Sequence, residues 1–327
     1  MTDLPYVHFL LADGVHYSVN QLHNGLCRLG AKVTVEGGEK YRSSDRFALK
    51  AAGKPVGLCP SLTVAEMAKT SRSEPCQPEL VVVEARDAKA RLEAFLSTWG
   101  MKRSDIAVIV VDESEDPGHW GIRTSALEVC DLYLKREWRH YHSRYDKRIA
   151  HLPFSWPGWP EGVEPVLPSE KRKAMVFFAG ALGFGRGAYL DVLFDFNIPT
   201  FVRAASQDNA IRWEEYLGSL SDFLVGFCAP GINGCMQTLR NWEVPAVGVV
   251  PLLPYHDIGY EHPLIEDVHC AYYSTPQEAA TKAAILLQEP EHLAEMGRQA
   301  QRLVMAHHTQ EARAQQMLTS LKEASLW

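Results

Sequence analysis

Two charged side chains three residues apart, Arg240 and Glu243, give the strongest chemical signal in this sequence. They follow an apolar stretch, Phe223–Phe227, and a loop that reads Pro-Gly-Ile-Asn-Gly. Residues three apart in a helix share one face. Such a pair can form a surface ion pair, or it can capture a ligand, with the arginine on a phosphate and the glutamate on the vicinal hydroxyls of a ribose. The spacing alone leaves both interpretations open.

A second candidate site is the glycine-rich loop 180–187, Gly-Ala-Leu-Gly-Phe-Gly-Arg-Gly, between an apolar strand and a helix. Glycines let the backbone approach a phosphate closely, and a helix N-terminus supplies unpaired N–H groups. Arg186 would add a fork of donors for a diphosphate. No Gly-Lys-Ser/Thr follows, so the loop is not a P-loop. A tight turn between a strand and a helix is the alternative interpretation.

Candidate bases follow the first apolar strands. Asp13, Gly14 and His16 come directly after the first strand, and a histidine there could deprotonate an acceptor or stabilise a departing phosphate. A histidine satisfied by the backbone at a helix start is the alternative. Asp87 and Asp112 are rival bases, although either could cap the next helix. The sequence has no Asp-x-Asp motif, and no metal site is predicted.

Aromatic and basic residues lie close together in two further segments. Lys135–Arg148 has six basic and three aromatic residues against two acidic ones, which could suit an anionic acceptor such as DNA. Its aromatic residues Trp138, Tyr141 and Tyr145 have helical spacing, which favours a stripe facing the core. Farther on, Trp156 and Trp159 could stack on the faces of a sugar or pack at a hinge between domains.

Composition and charge indicate a folded protein of 327 residues, with 46% hydrophobic and 22% charged residues. The formal net charge of −7 argues against binding to nucleic acid or anionic lipid over the whole surface. The seven cysteines include no Cys-x-x-Cys, which is typical of reduced thiols in a cytoplasmic protein. No apolar run approaches the roughly 20 residues that a membrane-spanning helix needs.

The order of predicted elements determines where these side chains would meet. Strands and helices alternate through the first half of the chain, a segment with five prolines follows at Pro153–Pro168, and a second alternation begins after it. A tail, Glu291–Leu321, has one long helical pattern. The sequence therefore predicts an α/β protein with two doubly wound Rossmann-like domains that face a central cleft. Ligands of such sheets bind beyond the carboxyl ends of the strands.

We predict the following boundaries: an N-terminal domain on the acceptor side over 1–155, a Pro/Trp-rich linker over 156–168, a C-terminal domain on the donor side over 169–305, and a helix over 306–327 that packs back on the N-terminal domain.

Several short motifs in the last third of the chain occur together in one family. They are Leu239-Arg-Asn-Trp-Glu243, Gly248-Val-Val-Pro-Leu-Leu, Tyr272-Tyr-Ser-Thr-Pro-Gln-Glu278, Leu286-Leu-Gln-Glu-Pro290, Met296-Gly-Arg298 and Ala306-His-His-Thr309 with Arg313. In these motifs the stretch from about 220 to 318 resembles the C-terminal domain of group 1 glycosyltransferases of the GT-B fold. The similar branch includes spore-maturation-type and phage-encoded glycosyltransferases. In such enzymes the Arg-x-x-Glu helix faces the nucleotide sugar, and its glutamate binds the ribose hydroxyls.

The resemblance implies a metal-independent transfer of a sugar from a nucleoside-diphosphate sugar, with a UDP-sugar expected, to an acceptor hydroxyl. The catalytic candidates for this reaction are His16, Asp13 and Asp112. The residues expected to bind the donor are Gly14, Gly183, Arg186, Asn233, Gly234, Arg240 and Glu243.

Three questions stay open at the level of sequence. The acceptor is a glycan, a protein side chain or a modified DNA base. Retaining members often carry two glutamates separated by seven residues, and with Glu243 as the second the first falls on Cys235, so the stereochemical course is undetermined. A nucleotide-sugar epimerase and a binding protein without turnover are the alternative functions.

Overall fold

The computed structural model describes residues 4–11, 17–37, 77–114, 122–159, 172–183, 185–204, 211, 213–231, 238–256 and 259–327. The chain divides into two compact units. The first comprises Met1–Pro153 together with Gln310–Trp327, and the second comprises Phe154–Thr309.

The first unit is built on a parallel sheet of six strands in the order β2-β1-β3-β4-β5-β6. Its strands are β1 (Val7–Leu11), β2 (Val33–Gly37), β3 (Leu80–Glu84), β4 (Ala107–Asp112), β5 (Leu132–Lys135) and β6 (Ile149–His151). Its helices are α1 (Tyr17–Leu29), α2 (Ala88–Trp99), α3 (Thr124–Leu127), α4 (His140–Tyr145) and α10 (Gln310–Glu323). Strands β1, β3 and β5 are buried along their whole length, which fits strands covered on both faces.

The C-terminal helix α10 belongs to the core of this first unit. Its apolar face packs with β1 and α1 through Ala314, Met317, Leu318 and Leu321. The two helices approach closely at Gly25, where a Cβ atom would lie 2.1 Å from the carbonyl oxygen of Gln310. Only a glycine permits this approach, so the end of the chain is part of the fold of its beginning.

The second unit contains a parallel sheet of five strands in the order β11-β10-β9-β7-β8. Its strands are β7 (Lys173–Gly180), β8 (Thr200–Ala204), β9 (Phe223–Phe227), β10 (Val250–Pro254) and β11 (Ala271–Tyr273). Its helices are α5 (Arg186–Asp195), α6 (Trp213–Leu220), α7 (Arg240–Ala246), α8 (Pro276–Leu286) and α9 (Pro290–His307). The predicted pair of α/β domains is thus confirmed.

The prediction of one long helix over Glu291–Leu321 is wrong, because α9 ends at His307 and α10 begins at Gln310. The break is held by contacts of His308. Its carbonyl oxygen accepts the backbone N–H of Trp156 at 2.7 Å, and its ring stacks on Trp242 with 3.8 Å between centroids. These contacts come from distant parts of the chain.

The predicted aromatic stripe is also partly wrong. Helix α4 has only six residues, and Tyr145 at its end is 57% exposed. Trp138 precedes the helix and stacks on His151. Two of the six basic residues in the segment Lys135–Arg148, namely Lys135 and Arg136, are buried. They cannot contact a large anionic acceptor directly.

Candidate active site

Helix α7 carries Arg240 and Glu243 in the second unit, and its C-terminal end is firmly held. The guanidinium of Arg172 donates to the carbonyl oxygens of Gly248 and Val247, each at 3.0 Å, and Gln301 donates to Ala246 at 3.0 Å. A cation at a helix C-terminus also interacts favourably with the helix dipole. Sequence reasoning missed Arg172, because no local motif connects position 172 with a helix some 70 residues later.

Arg240 is anchored at one end of its guanidinium. Its Nη2 donates to the carbonyl oxygen of Ala179 near the end of β7, and the group lies 5.9 Å from the ring centroid of Phe178. Its Nε is buried and meets no acceptor within the part of the chain that the structure describes. A buried, unsatisfied cationic donor is costly unless a ligand satisfies it. This arrangement suits the binding of an anion.

Gly180 makes the position of Arg240 possible, which sequence reasoning also missed. A Cβ atom on Gly180 would lie 2.7 Å from Nη2 of Arg240, and its φ of +150° favours glycine. Gly185 also has a positive φ, of +77°, a backbone conformation that favours glycine. At the predicted donor residue Gly183, by contrast, a Cβ atom would meet nothing within 4 Å.

Glu243 is not part of a surface ion pair, because it is only 7% exposed. Burial raises the pKa of its carboxyl to about 7, against the opposing effects of the Arg240 charge and of a hydrogen bond from Tyr216. At pH 7 the carboxyl group is therefore only about half ionised. The interpretation of the Arg240/Glu243 pair as a surface ion pair therefore does not fit the structure.

Replacing Glu243 by Gln is expected to stabilise the protein at alkaline pH. The raised pKa means that the folded state holds a proton that the unfolded state has lost, so the stability of the wild type falls as the pH rises from about 4.5 to about 7. Glu243→Gln is expected to remove this decline in stability. Unfolding midpoints at pH 5 and pH 8 measure the decline, and Glu291→Gln, a change at an exposed position, is the control. An equal decline in wild type and Glu243→Gln would show that Glu243 does not have the raised pKa.

Arg186 joins two loops at the carboxyl ends of the strands. Its Nε donates to the carbonyl oxygen of Pro230 at 3.0 Å, and its Nη1 donates to that of Ala181 at 3.3 Å. The predicted donor ligands Asn233 and Gly234 lie outside the described residues, as does Cys235.

The contacts of Arg186 and Arg240 together place Gly180, Arg186, Arg240 and Glu243 in one region of the second unit, around the ends of β7 and β9.

The catalytic candidates belong to the first unit. Asp13, Gly14 and His16 lie outside the described residues. Asp112 is 1% exposed and accepts three hydrogen bonds, from the hydroxyl of Tyr133 at 2.7 Å, from Nζ of Lys135 at 3.3 Å and from the N–H of Ser114 at 2.9 Å. A carboxylate in this environment fits a structural role better than proton abstraction.

The residue after Asp112 performs a different task. Glu113 accepts the backbone N–H groups of Tyr17 and Val19, each at 3.0 Å, and so satisfies two donors at the start of α1. The polar cluster after β4 thus fixes the helix that follows the predicted Asp13–His16 loop.

Within the described ranges, no group of three or more His, Cys, Asp and Glu side chains is placed to hold a metal ion. The described cysteines, Cys27, Cys130, Cys228 and Cys270, form no disulfide. None of the described helices is long and apolar enough to cross a membrane.

Comparison with known proteins identifies the domain that contains this site. Residues 197–319 match the model of a family described as glycosyl transferase-like. The chain carries a glycosyl transferase-like domain. This match covers α7, and with it Arg240 and Glu243. No curated protein matches the chain in a sequence search.

Solved structures agree with this domain in fold. Sucrose-phosphate synthase from Thermosynechococcus elongatus aligns at a TM-score of 0.59 and 13% identity, over 98% of this chain and 99% of that one. HepE from Anabaena, in complex with UDP, aligns at a TM-score of 0.61 and 11% identity, over 98% of this chain and 100% of that one. An alpha-glucosyltransferase in complex with UDP and a 13-mer DNA aligns at a TM-score of 0.61 and 9% identity, over 97% of this chain and 99% of that one. The predicted two-domain α/β fold is confirmed, and residues 197–319 match a glycosyl transferase-like family as the motifs of the sequence predict.

Proposed function

We propose that this chain transfers a sugar from a UDP-sugar to an acceptor hydroxyl, and that its second unit binds the donor at Arg240 and Glu243. The observation that carries the proposal is a half-buried guanidinium whose buried Nε meets no acceptor among the described residues, on the same short helix as a buried carboxylate. A nucleoside diphosphate offers the complementary groups, an anionic diphosphate and a ribose with two hydroxyl donors.

The roles follow from the chemistry of the two groups. Glu243 accepts hydrogen bonds from the ribose hydroxyls, and Arg240 donates to the diphosphate and stabilises its charge as it leaves. Arg186 and the loop 180–187 lie at the ends of the same strands and contribute further donors to the phosphates. UDP as the nucleotide is supported by the complexes of HepE with UDP and UDP-glucose and of the alpha-glucosyltransferase with UDP.

In the proposed reaction, the acceptor oxygen attacks the anomeric carbon while the bond from that carbon to the diphosphate breaks. The acceptor proton passes to a base of the first unit, for which His16 or Asp13 is proposed. The diphosphate leaves with its charge held by arginine and backbone donors, so the transfer proceeds without a metal ion. Full activity in excess EDTA is the expected result.

The acceptor side is assigned to the first unit, and a glycan, a protein side chain and a modified DNA base are the acceptor classes to screen. A cytoplasmic location is proposed, a compartment in which thiols such as those of the described cysteines stay reduced.

UDP is expected to raise the unfolding temperature by about 5–10 °C when present at about 100 times its dissociation constant. A ligand at that concentration contributes about 2.7 kcal/mol, and a domain of this size shifts by about 2–4 °C for each kcal/mol. Thermal shifts with UDP, GDP, dTDP and CMP measure the effect and its selectivity. If none of the four stabilises the protein, the proposed function is wrong and a binding protein of the same fold becomes the better description.

A further inference from the structure

Strand β8 lies at one edge of the sheet in the second unit, and large apolar side chains are exposed there. Among the described residues, β8 pairs only with β7. Phe201 in this strand is 44% exposed, and Phe194 and Phe196, which precede the strand, are 51% and 49% exposed. At the other three sheet edges, β2, β6 and β11, the described side chains are buried or half-buried. Within the described ranges, β8 is therefore the sheet edge that presents apolar surface to a partner.

The ring of Phe201 is the outermost of a row of aromatic rings on one face of this sheet. It stacks on Phe177 of β7 with 6.0 Å between centroids and an angle of 9°. It also stacks on Phe223 of β9 with 5.3 Å between centroids and an angle of 27°. Phe177 and Phe223 are buried. These two neighbours hold Phe201 in place, so the exposed part of its ring has a defined position.

The backbone of β8 also has hydrogen-bonding groups on its outer side. The carbonyl oxygen of Pro199 accepts the N–H of Val176 in β7 at 2.8 Å. Alternate residues of a strand direct their N–H and C=O groups to the same side, so the odd-numbered residues of β8 continue this pairing with β7. The even-numbered residues, Thr200, Val202 and Ala204, direct theirs away from β7. An edge of this kind is a template for a further strand.

We propose that β8 is an interface between two copies of this chain, which pair their β8 strands antiparallel about a twofold axis at Val202. In this register the outward groups of the two strands face each other and form about six main-chain hydrogen bonds. A twofold interface uses the same patch on both copies, as this register requires. The inference concerns assembly and does not depend on the proposed function.

The side chains of β8 are complementary to those of a second copy. Pairing at Val202 places Phe201 of each copy opposite Arg203 of the other, because the two positions are equally far from the axis. Such a pair brings the two Cβ atoms to about 4.5–5.5 Å. Arg203 lies on the same face as Phe201, where it donates to Ser219 and Glu215 of α6. A guanidinium over an aromatic ring is attractive, and the dimer contains this contact twice.

Opposite charges at position 201 test this geometry in the full chain by sedimentation velocity. Phe201→Lys and Phe201→Glu remove the same exposed apolar surface, but they place opposite charges against Arg203 of the second copy. We expect wild type and Phe201→Glu to be dimers. The dissociation constant of Phe201→Lys is expected to be at least about 100-fold higher, because like charges meet twice. Arg203→Glu, combined with Phe201→Lys, should restore the dimer.

Val202→Pro tests the main-chain pairing separately. It removes an N–H that points away from β7, so the sheet of the second unit should keep its own hydrogen bonds and the unfolding temperature should stay near that of wild type. The dimer should nevertheless dissociate. Val202→Thr, which keeps the N–H, is the matched control and should remain dimeric.

Three results would overturn the inference. The first is a wild-type chain that is monomeric at about 100 μM, a concentration at which even weak interfaces associate. The second is a dimer that Phe201→Lys and Val202→Pro leave intact, since its interface would lie elsewhere. The third is equal loss of the dimer in Phe201→Lys and Phe201→Glu, which would indicate association through apolar surface without the pairing of Phe201 with Arg203.

Discussion

Replacing Arg240 by Ala is expected to weaken UDP binding about 30- to 1,000-fold, which corresponds to about 2–4 kcal/mol for the loss of one partner from a buried, hydrogen-bonded charge pair. The size of the effect follows from the position of the side chain. Arg240 is fixed by its hydrogen bond to the carbonyl oxygen of Ala179 and by the space that Gly180 leaves. The side chain therefore loses little conformational entropy when its buried Nε binds an anion.

Arg240→Lys is the informative companion variant. It keeps the charge but loses the planar fork of donors, so an intermediate loss of affinity is expected. Arg298→Ala, which removes an exposed ion pair with Glu295, serves as the control and should leave UDP affinity unchanged. Calorimetry gives the affinities, and circular dichroism confirms that each variant is folded. UDP affinity in Arg240→Ala within threefold of wild type would rule out a direct contact with the diphosphate.

Much of the fold follows from local sequence patterns. The predicted strands Leu80–Glu84 and Phe223–Phe227 and the helix Ala88–Trp99 have the observed bounds. The two strands are continuous apolar runs, as expected for strands buried on both faces. The helix ends at Gly100, whose φ of +63° is the usual glycine C-cap. In each case the information that sets the boundary lies within a few residues of it.

Other features depend on contacts between distant residues, and local patterns could not predict them. Helical periodicity continues through His308, yet the helix breaks there because Trp156 and Trp242 bind that residue. In the site, the spacing of Arg240 and Glu243 was compatible with a surface ion pair. Burial of Glu243 argues against the surface ion pair, and burial is a property of the whole domain.

The glycines show the same distinction between local and distant causes. Sequence reasoning selected Gly183 for a close approach of a phosphate. Within the protein itself, the close contacts occur at Gly180, whose hydrogen makes room for Arg240 some 60 residues later, and at Gly297, whose neighbour is the carbonyl oxygen of Gly248. Gly248 and Gly297 both belong to the motifs that resemble glycosyltransferases, and their contact gives a physical reason for that pairing.

Gly297→Ala is expected to destabilise the second unit by about 3 kcal/mol or more, near the upper end of the cost of overpacking a core. The added Cβ would lie 2.2 Å from the carbonyl oxygen of Gly248, and a buried backbone atom cannot move aside as a flexible side chain can. At about 2–4 °C for each kcal/mol, the unfolding temperature should fall by about 6–12 °C.

A matched glycine in the same unit should respond in the opposite direction. Gly218 lies in α6, and a Cβ atom there would meet nothing within 4 Å, so Gly218→Ala is expected to stabilise the protein by about 0.5–1 kcal/mol through helix propensity. Because Gly248 lies two residues after the end of α7, Gly297→Ala should also displace Arg240 and Glu243 and weaken UDP binding. If Gly297→Ala were as stable as the wild type, α9 could shift away from Gly248. The contact between Gly297 and Gly248 would then not determine the position of α7.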